Sequence, residues 1–391
     1  MVLIARCAGV YHAGKQTGMT GGRGMRVKQV IAVVALGTLV CWGADRKARK
    51  TDAGRAGRVP AVDQGAASNV LGTDEEVDKS VERGLAWIAR GQLPDGTFGN
   101  GQAQNTSGIW ALCGMAFLAR GHVPGTEPYG PVVERIITKL AEVQRADGYL
   151  GGNDGKMYSH CIATLFLSEV SGMVRPELQT KIDQALPRAL KIILDAQKIE
   201  KDQHNRGGWR YTTEARDSDL SCSGWALMAL RSARLNGAQI PPEAIKNAVE
   251  YVLRRHDENQ GGFGYTDKQT HAVTLTGAGL LCLSLCGEHG NPAVGRAARY
   301  LMQKYEELPK QQYCFYGMYY AAQGLFQLGG KEWQTFSHWM YDTWIPKQNE
   351  DGYWDRNEQD RYYQTAMVVL AFTVPYRQLP IYQRDETVDE K

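Results

Sequence analysis

The chain has 391 residues, 43% of them hydrophobic and 22% charged, with a formal net charge of +3. That balance excludes a disordered chain and a strongly basic nucleic-acid surface, and the length suffices to bury a core without cross-links. The eight cysteines are therefore expected as free thiols, with Cys7 and Cys41 near the N-terminus and Cys113, Cys161, Cys222, Cys282, Cys286 and Cys314 packed in helices as small apolar residues.

Residues 1–24 are glycine-rich and patternless, whereas Met25-Arg26-Val27-Lys28 opens a basic segment followed by the apolar run from Val30 to Val40. This is the layout of a secretory signal. It makes Met25 the expected start and places the protein in the periplasm or outside the cell, held at the membrane if the signal stays uncleaved. The run is short for a membrane span. Cys41 raises lipidation as an alternative, against which Val40 is an unfavourable preceding residue. Residues 1–44 are thus assigned to the extension and signal, 45–73 to a charged, Gly/Ala-rich flexible tether, 74–384 to a globular domain and 385–391 to a disordered tail.

From Asp74 onward two kinds of helix alternate. The first is amphipathic: Val77, Val81, Leu85, Ile88; Val133, Ile136, Ile137, Leu140; Ile245, Ala248, Val249, Val252; Val294, Ala297, Ala298, Leu301. The second is apolar nearly all round: Ser107 to Leu118, Cys161 to Val170, Asp219 to Leu230, Val273 to Leu285, Tyr316 to Leu328 and Tyr363 to Val374. Gly121, Gly172, Gly237, Gly287 and Gly329 follow five of these, as helix-ending glycines do. Pro176, Pro241, Pro242 and Pro292 open outer helices, where a missing amide proton costs nothing. Pro187, inside an apolar run, is expected to kink or restart its helix.

Between the two kinds the chain passes a Gly-aromatic turn. These turns are Gln92-Leu93-Pro94-Asp95-Gly96-Thr97-Phe98, Gln144-Arg145-Ala146-Asp147-Gly148-Tyr149, Gly207-Gly208-Trp209, Gln260-Gly261-Gly262-Phe263 and Gln348-Asn349-Glu350-Asp351-Gly352-Tyr353-Trp354. Gln311-Gln312-Tyr313 fills the one long gap with its glycines lost. Self-similarity of this length is the signature of a repeat architecture. One dry and one wet class of helix imply two concentric layers, so the expected fold is all-α, a closed (α/α)6 toroid of six hairpins. An open superhelix is the alternative, and it would need polar caps at both ends.

These turns resemble the repeat of squalene and other terpene cyclases and of protein prenyltransferase β subunits, and residues 74–384 as a whole are similar to the exported prenyltransferase and squalene oxidase repeat proteins. The resemblance implies the toroid fold, an apolar small-molecule or isoprenoid ligand in the barrel, and possible proton-initiated cyclisation. Class II cyclases protonate an alkene with the middle aspartate of Asp-x-Asp-Asp. Asp217-Ser218-Asp219-Leu220 matches the first three positions, making Asp219 the acid with Asp217 beside it, and replaces the last aspartate with Leu220. Prenyltransferases hold zinc through Asp-x-Cys after a Gly-Gly-Phe turn; here that stretch reads Gly261 to His271 with no such pair. No metal or other cofactor is expected.

In a barrel of hairpins the inner helices run the same way, so their N-termini share one mouth. Asp217, Asp219, His160, His271, Tyr158, Tyr313 and Tyr362 fall at or just before those ends, where amide groups and helix dipoles favour a polar ligand group. Each has a structural alternative: an aspartate ahead of a helix caps it, and a histidine is commonly satisfied by a carbonyl. A zinc site of His160, His271 and Asp219 has no local signature. Trp110, Trp225, Tyr316, Tyr319, Tyr320 and Tyr363 lie on inner helices, where they either line an apolar cavity or fill the core. Three functions stay open: a terpene-cyclase-like binder of a long apolar ligand, with Asp219 as acid; a non-catalytic exported scaffold that binds a protein partner at the rim, with peripheral membrane association; or a carbohydrate-active enzyme using Glu214, Asp217 and Asp219.

Overall fold

A computed structural model of the chain describes residues 71–99, 102–152, 156–356 and 360–382. The signal, most of the tether, the C-terminal tail, Cys7 and Cys41 lie outside these residues. Six outer helices are α1 (Leu71–Arg90), α4 (Gly130–Val143), α6 (Pro176–Lys198), α8 (Pro242–Leu253), α10 (Pro292–Lys304) and α12 (Gly330–Trp344). Six inner helices are α3 (Ser107–Ala119), α5 (Met157–Val170), α7 (Leu220–Leu235), α9 (Val273–Leu285), α11 (Cys314–Leu328) and α13 (Arg361–Phe372), with a single turn α2 (Gln102–Asn105) ahead of α3. The apolar stripes read from the sequence on α1, α4, α8 and α10 are buried, and every residue of α3 and α5 is buried. Helix α6 runs without a break through Pro187, so the expected restart there does not occur. The first helix begins at Leu71, three residues inside the expected tether.

The ring is closed. Inner helices pack in the order α3, α5, α7, α9, α11, α13 and back to α3, and α1 packs on α13. Across that seam Gln348 Nε2 donates to the Ser80 carbonyl at 2.8 Å, Ser80 Oγ donates to Gln348 Oε1 at 2.9 Å, and Arg83 and Arg90 donate to the carbonyls of Asn349 and Asp351. An open superhelix has no such contacts between its ends.

One clamp explains the repeated glutamine. Its amide nitrogen donates both to the carbonyl of the turn glycine and to a carbonyl in the next outer helix. Gln92 takes Gly96 and Val132, Gln144 takes Gly148 and Ala185, Gln197 takes Gly207 and Ala244, and Gln348 takes Gly352 and Ser80. Each of these glycines has positive φ, and a Cβ would strike an outer-helix carbonyl: at Gly207 it would lie 2.2 Å from the Asn247 oxygen. In the fourth turn Gln260 is not the clamp; Asp257, four residues before Gly261, holds that position and accepts from the amides of Asn259 and Gln260. The six cysteines of the helices are free thiols, five of them buried and Cys286 half-buried.

Candidate functional site

Asp219 caps α7. Its Oδ1 accepts from the Cys222 amide at 2.7 Å and its Oδ2 from Arg210 Nη1 at 3.0 Å, so the capping role read from the sequence coexists with an ion pair. The Gly-Gly-Trp turn places Arg210 there: Trp209 is anchored by its ring N–H on the Ile193 carbonyl, and the Trp209 carbonyl accepts from the Asp219 amide at 2.9 Å. The Arg210 guanidinium lies 4.4 Å from the ring centre of Tyr211 and 5.3 Å from that of Tyr265, donates to the Tyr265 hydroxyl at 3.1 Å, and reaches Asp217 Oδ2 at 3.1 Å through Nε. The Tyr211 and Tyr265 hydroxyls are hydrogen-bonded to each other. Asp219 is fully buried, whereas the Asp217 side chain is 60% exposed. The two aspartates are therefore inequivalent, one sealed at the mouth and the other on its rim.

Burial pushes the Asp219 carboxyl up to about 6 against the pull of Arg210. Burial also lowers the Lys201 ammonium to about 8; its Nζ donates to the Gly208 carbonyl behind the turn. Arg210, Tyr211, Tyr265 and Lys201 are parts of the site that the sequence left unassigned. The available signal was an arginine directly after the Gly-Gly-Trp turn, which by itself reads as loop.

Inward from Asp219 runs a column of rings. Tyr158 stacks on Tyr211 at 5.8 Å and, with Tyr316, lies near enough to Asp219 for its phenol to be raised further by that charge after burial. Tyr316 meets Tyr320 at 4.7 Å, Tyr320 meets Tyr319 at 4.9 Å, and Trp225 stacks on Tyr319 at 5.6 Å. Tyr211 is half-buried and the other rings are buried, Tyr320 completely. The hydroxyls of Tyr158 and Tyr320 have no hydrogen-bond partner among the described residues. The rings fill the axis as it stands.

The other expected site residues lie apart. His160 is a structural clamp: Nδ1 accepts from the Leu150 amide at 2.9 Å, which leaves the proton on Nε2 for the Ala189 carbonyl at 3.0 Å, and Tyr149 stacks flat on the ring. In three other hairpins Ser223, Thr276 and Thr365 accept the same turn amide, from Trp209, Phe263 and Trp354. Burial lowers the His160 imidazole to about 4. His271 pairs with Asp257 at 3.4 Å and meets Tyr300 edge-on, away from Asp219. Trp110 faces Lys139 of outer helix α4 and Tyr362 packs on Trp87 and Phe98 at the seam, so neither joins the column. Tyr363 is buried close to Tyr313 at the entrance of α11. No group of three His, Cys, Asp or Glu side chains able to hold a metal occurs among the described residues, and His160, His271 and Asp219 are not brought together. Glu214 lines a separate rim cleft of about 430 Å³ with Arg145, Asp147, Asp195 and Thr212. It shares no open space with the sealed Asp219, so the three acids do not converge on one substrate.

Two concentric rings of six helices, with a charged mouth over an aromatic axis, define an α/α toroid. The sequence profile of the Prenyltransferase alpha-alpha toroid domain matches residues 66–318, and the chain belongs to that family. Among solved structures it is similar to the type II terpene cyclase MstE from Scytonema, at 13% identity and TM-score 0.52 over 78% of this chain and 99% of that one. It is similar to the same enzyme in complex with geranylgeranyl dihydroxybenzoate, at 12% identity and TM-score 0.51 over 79% and 100%. It is also similar to an α-1,6-mannanase of Salegentibacter, at 11% identity and TM-score 0.56 over 77% and 99%. At these identities the likeness is one of fold. No curated protein sequence matches the chain.

Proposed function

We propose that the toroid binds a polyisoprenoid or similar long apolar ligand along its axis, with the ligand's polar end at Arg210, Asp219 and Tyr265. One observation carries this reading: Tyr158 and Tyr316 both lie beside Asp219, and from Tyr316 the rings run through Tyr320 to Trp225, with the buried hydroxyls of Tyr158 and Tyr320 lacking partners among the described residues. A buried hydroxyl left unpaired costs about 1–3 kcal/mol, and a ligand carrying an oxygen to it recovers that. The family and the fold-level likeness to a cyclase that holds a geranylgeranyl compound are in keeping with it. Because the rings fill the axis, a ligand enters only as they swing aside.

Binding is better supported than turnover. Protonating an alkene needs a neutral acid, and with its carboxyl at about 6 beside a guanidinium, Asp219 is mainly ionised at neutral pH. Any proton-initiated cyclisation by Asp219 would therefore weaken as pH rises through about 6. The test is thermal unfolding with geranylgeraniol. A ligand at a hundred times its Kd stabilises the folded chain by about 2.7 kcal/mol, and emission from Trp225 changes as Tyr319 leaves its face. If prenyl alcohols neither raise Tm nor remain bound in native mass spectra, the axial reading fails, and the polar rim cleft beside Glu214 becomes the site to pursue with carbohydrates or a protein partner.

A further inference from the structure

The end of the axis opposite Asp219 is closed by the chain itself. After α13 the backbone turns at Arg377, the one non-glycine residue with positive φ among the described residues, and lays Leu379, Ile381 and Tyr382 across the ring, all buried. The Ile381 amide donates to Glu169 Oε2 at 3.2 Å on α5. On the other side the Tyr382 hydroxyl is hydrogen-bonded to that of Tyr319 at 2.5 Å, and its carbonyl accepts from Gln327 Nε2 at 3.1 Å, both on α11. In the packing order of the inner ring, α5 and α11 are three steps apart in either direction, so the segment spans a diameter.

Its anchor is unlike the rest of the core. Glu169 is the one acidic residue of an otherwise buried, mainly apolar helix, and it is fully buried with no cation acting on it among the described residues. Its other oxygen accepts from Ser232, which together with Ser168 and Asn236 forms a polar patch in a dry layer. A carboxylate placed there without a counter-ion is costly, and the donors it receives are Ser232 and the backbone amide of the crossing segment. Tyr382, meanwhile, extends the same ring column that begins at Tyr158, through Tyr319 and Trp225.

Resting on the axial-ligand reading above, we infer that Leu379–Tyr382 is a gate: an intramolecular occupant of the far end of the axis that must leave before a long ligand threads the ring. It presents what such a ligand presents, apolar carbon ending in a hydroxyl, to the rings at the end of the column. Its departure opens the axis away from the mouth, leaving Arg210 and Asp219 untouched.

Cys282 reports on the gate directly. Its sulfur lies beside Tyr319 and Tyr320 in the axis, and burial raises its thiol. Cys113 lies at the other end, near Asp360, and serves as a control. The full chain, a chain ending at Gln378 and the variant Tyr382→Ala are treated with iodoacetamide, the modified sites are mapped by mass spectrometry, and geranylgeraniol binding is followed by tryptophan emission. The expected result is Cys282 alkylation at least tenfold faster in both altered chains, Cys113 unchanged, and a comparable gain in the association rate of geranylgeraniol. The gate is overturned if Cys282 stays as slow as in the full chain in either folded variant, or if Cys113 accelerates in step with Cys282, which marks general loosening. If Cys282 opens while geranylgeraniol still does not bind, the gate stands and the isoprenoid reading falls.

Discussion

Replacing Asp219 with asparagine separates capping from charge. Asparagine caps a helix about as well as aspartate, so the Cys222 amide keeps its acceptor, while the ionised state is removed together with the second oxygen, which accepts from Arg210; an amide NH2 takes its place as the O–H does in the protonated acid. Burial raises this carboxyl from 3.8 to about 6 even after the attraction of Arg210 is counted. At about 1.4 kcal/mol per unit, ionising it in the folded chain costs about 3 kcal/mol more than in the unfolded one. The sign follows from linkage: between 3.8 and 6 the folded state holds a proton that the unfolded state has lost, so the native chain loses stability as pH rises through that window. Asp219→Asn carries no such loss. Urea unfolding from pH 4 to 8 is therefore expected to show the variant near native stability at pH 4 and gaining on it by up to about 3 kcal/mol at pH 7 and above. A flat difference, or a variant that falls behind as pH rises, refutes the reasoning and makes the Arg210 ion pair the stronger force.

Glu169→Gln obeys the same sign, since burial lifts the carboxyl from 4.5 to about 7; unfolding experiments are expected to show the variant's advantage developing between those values and reaching about 3 kcal/mol. His160 has the opposite sign: an imidazole lowered from 6.5 to about 4 by burial resists a proton that the unfolded chain accepts, so the native chain loses stability as pH falls from 6.5 to 4, and His160→Thr removes that slope. Gly277→Ala places a methyl 2.5 Å from the backbone nitrogen of Ala321 and must spread α9 from α11, costing about 3 kcal/mol in thermal unfolding. In Gly114→Ala the nearest atoms to the new methyl belong to the ring of Phe166, and the change is expected to cost less, because a side chain shifts more easily than a helix backbone.

The fold was legible because each hairpin repeats the same physical solution. Dry helices differ from wet ones in composition, and the turn glycine is required wherever the loop presses on an outer-helix carbonyl, so both leave traces in a single sequence. The glutamine clamp was half legible. Gln92, Gln144 and Gln348 stand four residues before their glycine, while a longer loop puts Gln197 ten before Gly207, and Gln260 occupies the eye while Asp257 occupies the place. The site was less so. His160 looks like chemistry in sequence, yet it does in its hairpin what Ser223 and Thr365 do in theirs. Arg210 and Glu169 become meaningful only when folding brings a partner to them, Asp219 from nine residues along the chain in one case and the far-off Ile381 in the other.

That contrast bears on how a single ring could serve a ligand. A closed toroid has no hinge between domains, and its seam is tied as firmly as its other joints: Gln348 bonds Ser80 as Gln144 bonds Ala185. Gln348→Ala is therefore expected to destabilise as much as Gln144→Ala, about 1–3 kcal/mol for the carbonyls each leaves unpaired. If thermal unfolding shows Gln348→Ala to be nearly neutral while Gln144→Ala is costly, the seam opens readily, and the axis is reached by parting α1 from α13. Equal costs leave the two ends of the axis as the routes in. One is narrowed by the Arg210–Asp219 pair and its flanking tyrosines, and the other is held by a four-residue crossing with few bonds. Of the two, the crossing gives way with less loss, because its amide and hydroxyl partners meet water once it lifts, whereas opening the mouth parts a buried carboxylate from its guanidinium.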